Sequence, residues 1–193
     1  LLQQYDPAAT LAPSKNGIYE IATADQLCLL SDMVAQGNSF AGKTLVLTQD
    51  INMLGRSLLP IGGNGTDQAF AGTFDGQGHM IKNLQIFEPE GEGIGLFGKA
   101  SKATIRNLGI DSGLVIGGKA TGSLIGLGSS ITVENCFARC NVISYDSFGG
   151  GLVGQMGGTS AISNAYHNGY VKATGNVAGG LVGYISSSST TTI

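Results

Sequence analysis

Tryptophan is absent from this chain, proline and cysteine number only four and three, and just 12% of its 193 residues are charged. Each scarcity excludes something. Three cysteines, Cys28, Cys136 and Cys140, are too few for a disulfide framework. Cys136 and Cys140 lack the further ligands that zinc requires, so all three are expected to be small buried hydrophobes. Lys and Arg total ten, form no run and leave a net charge of -3, which argues against nucleic acid as a partner. No apolar stretch reaches the roughly 18 residues of a membrane helix, so no membrane insertion by this segment is expected. The two histidines, His79 and His167, do not form the His-Glu-x-x-His pair of a zinc protease and stand beside no candidate nucleophile. The chain opens on Leu1-Leu2-Gln3 without a signal peptide; the expectation is that an export signal has been cut away or lies outside this sequence.

What is abundant is glycine, 32 residues, more than double the usual share. No Gly-X-Y period accompanies it, so collagen is excluded. Glycine spread evenly among Val, Ile and Leu suits many short strands joined by tight turns. Residues 1–57 read as a lead-in and N-terminal cap. Within them a strand over 18–21 precedes a helix at about 24–36. Thr23 and Gln26 form a capping box, Leu27, Leu30, Met33 and Val34 share one face, and Gly37 stops the helix. A second strand is expected over 44–48. Ten of the thirteen acidic residues lie in residues 1–100, so binding in the second half would rest on Ser, Thr, Asn and Tyr.

From residue 58 two phrases recur. The first is Gly95-Leu96-Phe97-Gly98, Ser123-Leu124-Ile125-Gly126, Gly151-Leu152-Val153-Gly154 and Gly180-Leu181-Val182-Gly183, with leucine spacings of 28, 28 and 29 residues. The second reads Ile81-Lys82-Asn83-Leu84, Ile105-Arg106-Asn107-Leu108, Val133-Glu134-Asn135-Cys136 and Ile162-Ser163-Asn164-Ala165. Two interleaved phrases at one period mark a repeat architecture. Leu84 and Ile86 alternate, as do Leu108 and Ile110, while Ile81 and Ile105 are out of phase with them. A corner therefore falls near each asparagine, and a strand that bends once per repeat describes a coil. Stacking such coils every ~4.8 Å would align Leu96, Leu124, Leu152 and Leu181 in a buried column. Asn83, Asn107, Asn135 and Asn164 would form a ladder at the corner. The expected fold is all-β, a parallel β-helix or β-solenoid of about 28-residue coils with the helix covering its N-terminal end.

The four leucine phrases resemble GLUG repeats, named for Gly-Leu-hydrophobic-Gly. Phe70-Ala71-Gly72-Thr73-Phe74-Asp75-Gly76-Gln77-Gly78-His79 is similar to the segment that opens such arrays. Ile21-Ala22-Thr23-Ala24-Asp25-Gln26-Leu27 and Leu45-Val46-Leu47-Thr48-Gln49-Asp50-Ile51 look like the family's lead-in helix and strand. The resemblance covers residues 18–185. It implies a right-handed β-helix in secreted or surface proteins of bacteria, among them adhesin-like proteins and the non-catalytic N-terminal part of immunoglobulin A metalloproteases. Two departures stand out: Ser123 replaces the first glycine of its phrase, and His167 stands where Ile86, Ile110 and Ala138 stand in other coils.

Several enzyme-like patterns have plainer explanations. Gly93-Ile94-Gly95-Leu96-Phe97-Gly98 and Gly149-Gly150-Gly151-Leu152-Val153-Gly154 match G-x-G-x-x-G, but no helix pattern follows either and both sit on the repeat period. In Gly113 to Gly118-Lys119, Ala120 occupies the place of the magnesium-binding Ser or Thr of a phosphate loop. Glu88, Glu90 and Glu92 read as an exposed acidic turn around Pro89, and Asn64-Gly65-Thr66 fits a glycosylation sequon. A carbohydrate-active β-helix would need clustered carboxylates. Lys82, Arg106, Glu134 and Ser163 instead read as one solvated column of mixed sign, and Asp111 and Asp146 lack a carboxylate partner. No catalytic residue, metal ligand or cofactor site is assigned. The expected function is a surface-exposed module for adhesion to, or binding of, host protein or glycan. The alternatives are an accessory segment of an immunoglobulin A protease-like metallopeptidase and a carbohydrate-active β-helix. Ser186 to Thr192 leads toward a further asparagine phrase, so more coils of the same chain are expected beyond Ile193.

Overall fold

A computed structural model describes residues 4–63 and 67–193. The sequon at 64–66 lies outside the described residues, as do the first three. Among the described residues the strands form three parallel sheets of a β-solenoid, the first seven-stranded and the third four-stranded. Each coil passes from the first sheet around the asparagine corner to the second, then through a glycine turn to the third. Thus Thr104–Arg106 leads to Gly109–Gly122 and Ile125–Ser129, and the next coil begins at Thr132–Glu134 directly alongside Thr104–Arg106.

The lead-in belongs to the same sheet. Ile18–Ile21 pairs with Thr44–Leu47, which pairs with Thr73–Asp75, so no break in pairing marks the expected boundary at residue 57. Between the first two strands the chain makes its one helical excursion among the described residues, Ala24–Ala35. The Thr23 hydroxyl accepts from the Gln26 N–H at 3.1 Å, and the Gln26 amide oxygen accepts from the Ala22 N–H at 2.8 Å. Leu27, Cys28, Leu30 and Val34 are buried in the same cluster as the coil interiors. The buried Ser31 hydroxyl donates to the carbonyls of Leu59 and Pro60, tying the helix to the first full coil.

The leucines align as a column. Leu124 N–H donates to the Leu152 carbonyl at 3.0 Å, and Leu152 N–H to the Leu181 carbonyl at 2.9 Å. Leu96, Leu124 and Leu152 are fully buried and Leu181 is half-buried. The glycine that closes each phrase answers to space. A Cβ on Gly126 would lie 2.2 Å from the Ile94 nitrogen, and one on Gly154 2.4 Å from the Ala120 carbonyl carbon. The second and third sheets meet there backbone to backbone. Ser123, in register with Gly151 and Gly180, is tolerated because its hydroxyl donates to the Gly151 carbonyl of the next coil.

Three register expectations are corrected. Asn83 does not share the column of Asn107, Asn135 and Asn164. It belongs to the second sheet, where Lys82 is paired with Asp111, and its amide donates to the Asn52 side chain at 2.9 Å. Lys82 likewise stands apart from Arg106, Glu134 and Ser163; Asp75 occupies that column instead. His167 lines up with Ala138, Ile110 and Ile81, whereas Ile86 pairs with Val115.

Candidate binding surface

The corner is built from backbone shape. Asn107, Asn135 and Asn164 have φ of 51°, 52° and 49°, the left-handed region that asparagine tolerates better than any other residue with a Cβ except Asp. Once held there, their amides bond along the axis. Asn135 donates to Asn107 at 3.1 Å, and Asn107 donates to the Asp75 carboxylate at 3.0 Å. One coil earlier Gly76 follows Asp75 in this register, and the left-handed turn falls on Gln77 and Gly78, with φ of 52° and 84°. Burial opposes ionisation of Asp75, but the bonds from Asn107, the Gln77 N–H and Arg106 outweigh it and hold its carboxyl below the usual range.

Two columns face solvent on the first sheet. One is a threonine ladder, Thr44, Thr73, Thr104 and Thr132, in register over four successive coils. It escaped the sequence reading, although the spacing of Thr104 and Thr132 from the asparagines was there to be read. β-branched side chains stacked on a parallel sheet support one another across coils. The other column is Asp75, Arg106, Glu134 and Ser163, with Arg106 bonded to Asp75 at 2.8 Å.

The outer face of the second sheet repeats this device. Lys82 pairs with Asp50 at 2.8 Å and Arg139 with Asp111 at 3.6 Å. The bond from Lys82 and that from the Met80 N–H lower the Asp50 pKa. Beside them Phe137 and Tyr166 stack with centroids 5.3 Å apart and planes 8° from parallel, and the Arg139 guanidinium lies 5.0 Å from the Phe137 centroid. The expected acidic turn is instead part of the strand Met80–Ile94, irregular in register between Glu88 and Glu92, where Glu92 pairs with Lys119 at 3.1 Å. A cleft of about 560 Å³ lies between Tyr5, Arg56 and Phe87, with Arg56 already bonded to Asp25.

The three thiols are placed for packing. None of the three cysteines is in a disulfide, and all are buried. Burial pushes the Cys136 thiol up to about 11 and the Cys140 thiol up to about 12, so neither supplies thiolate near neutrality. Burial also lowers the His167 pKa, while its Nε2 lies 2.8 Å from the Cys140 carbonyl. His79 stands beside Asp50 at 3.5 Å on the surface. Among the described residues no three His, Cys, Asp or Glu converge as a metal site, and no helix is long and apolar enough to cross a membrane.

No family model matches the chain. In sequence, 86% of it is similar to halomucin of Haloquadratum walsbyi, at 31% identity over 199 residues. In structure it is similar to a candidate immunoglobulin A1 protease from Bacteroides ovatus, with a TM-score of 0.64 and 20% identity over 93% of this chain. The first likeness joins the chain to part of a far longer protein, and the second shows that the β-solenoid fold is shared. The chain spans 2% of the length of halomucin and 65% of the solved Bacteroides ovatus chain.

Proposed function

We propose that this chain is a non-catalytic, surface-exposed β-solenoid module that binds host protein or glycan. The observation that carries the reading is the arrangement of its polar side chains. Coil after coil, threonine, asparagine and ion-paired ladders present a continuous, rigid solvent face, while the thiols are buried and His167 is half-buried against the Cys140 carbonyl. A rigid array of repeated polar positions is suited to wide, shallow recognition by groups that need no reorganisation. The likeness to halomucin supports a place at the cell surface. The test is capture: beads coated with the chain should bind immobilised mucin or epithelial surface glycoprotein above an albumin control. Beads that bind none of these would contradict the reading, as would new reducing ends when the chain is incubated with polysaccharides.

A second reading is favoured by the fold shared with the Bacteroides ovatus protein. As an accessory segment of a metallopeptidase, the solenoid would hold a protein substrate for a catalytic domain elsewhere in the chain. Deleting it from such a parent would then raise KM and leave kcat unchanged.

A further inference from the structure

The outer face of the third sheet differs from the other two. Its outward column runs Lys99, Leu127, Gln155 and Tyr184 in register through four coils, the first three half-buried and Tyr184 exposed. The neighbouring column reads Ser101, Ser129 and Gly157. The small residues and the 186–189 turn shape a groove of about 390 Å³ that crosses the strands along the solenoid axis, within the range of small-ligand sites. The Ser189 hydroxyl oxygen in its lining is buried and has no hydrogen-bond partner among the described residues. Such a group costs free energy unless something meets it. One coil beyond Gln155, Tyr184 stacks on Phe148 with centroids 4.5 Å apart and planes 15° from parallel, so the column ends on a rigid aromatic platform.

We propose that this groove binds a neutral, extended oligosaccharide laid parallel to the solenoid axis, with hydroxyl and amide side chains meeting sugar hydroxyls and the Tyr184–Phe148 stack receiving a sugar face. The inference deepens the binding-module reading and rests on it. Serine hydroxyls and the Gln155 amide both donate and accept, as sugar hydroxyls do. The ionisable side chain in the lining, Lys99, is paired with Asp67 at 3.3 Å, which disfavours a polyanion. An extended peptide fits less well. It advances about 3.3 Å per residue against a coil rise of about 4.8 Å, and strand addition needs a free sheet edge. Here the strands run across the groove with their backbones already paired from coil to coil. An extended glycan advances per sugar by nearly one coil.

The test is affinity electrophoresis of the whole chain through gels containing hydroxyethyl cellulose, galactomannan or xylan, with alginate and heparin as anionic comparisons. Gly157→Phe fills the groove, because a Cβ there would meet only the Ser186 hydroxyl, at 3.3 Å, and the Ser189 hydroxyl, at 3.6 Å, as its nearest oxygen neighbours. Gln155→Ala removes the central amide and serves should the larger substitution disturb folding. The expected result is retardation of the wild type by at least one neutral polysaccharide, abolished by Gly157→Phe and weakened roughly tenfold by Gln155→Ala through one or two lost hydrogen bonds. Retardation only by the anionic polymers, by none of the polymers, or equally in wild type and Gln155→Ala would overturn the inference. If the chain still captures surface glycoprotein in those cases, the binding-module reading stands and the groove alone is refuted.

Discussion

Truncating Leu152 to alanine probes the interior where it is least able to adapt. Leu152 is fully buried, its N–H donates to the Leu181 carbonyl, and its own carbonyl accepts from Leu124 and Ile125. Those ladders fix the coil spacing, so Leu124 and Leu181 cannot slide together to fill the void. Leu→Ala substitutions cost about 2–5 kcal/mol according to how far the site collapses, and a site braced from both sides belongs at about 3–5 kcal/mol. Leu181, half-buried in the same column, loses less transfer energy, and Leu181→Ala is expected to cost about 1–2 kcal/mol. The assay is urea unfolding followed by far-UV circular dichroism, with native-state hydrogen exchange to guard against independent unfolding of terminal coils. Equal costs at the two positions, or less than about 1 kcal/mol at Leu152, would refute the packing described.

At the corner, Asn135→Ala forces alanine into left-handed backbone and removes an exposed amide bond, for a combined loss of about 1.5–2 kcal/mol. Asn135→Gly keeps the backbone and should lose less; a glycine variant with a lower urea midpoint than the alanine variant would contradict this. His167 gives a pH signature. Burial lowers its folded pKa below the ordinary 6.5, so its neutral form belongs to the fold. The corresponding stability is present above pH 6.5 and is lost as pH falls through the folded value. His167→Ile, which continues the column of Ile81 and Ile110, should melt with a flatter pH dependence between about pH 7.5 and 5. Parallel melting curves would contradict it.

The leucine phrase was legible because two independent constraints, a buried side chain and the close sheet approach at Gly126 and Gly154, recur at one spacing. The asparagine phrase was legible only in part. Asn83 has φ of 57°, close to Asn107 at 51°, and its flanking residues copy the same pattern. Asparagine in such a phrase reports left-handed backbone, and a solenoid coil offers more than one place that needs it. Sequence therefore identified the bend at Asn83 and misplaced it on the coil. The threonine ladder was hidden for another reason. Thr44 and Thr73 lie in segments lacking the leucine phrase, and their equivalence to Thr104 and Thr132 depends on pairing across coils. The groove on the third sheet was invisible, since it is lined from several coils and its shape depends on which side chains are missing.

The parallel coil register is tested most directly by a distance ruler on the threonine ladder. Nitroxide labels would be placed on cysteines substituted for Thr132 and, in separate variants, for Thr104, Thr73 or Thr44. The native thiols are buried, with Cys136 and Cys140 pushed up to about 11 and about 12, and so resist labelling. Because these threonines are neighbours in successive coils, the three separations should be about 5, 10 and 14 Å, with dipolar broadening falling stepwise along the series. A Thr44 pair as strongly coupled as the Thr104 pair, or a Thr104 pair without strong coupling, would contradict the solenoid register.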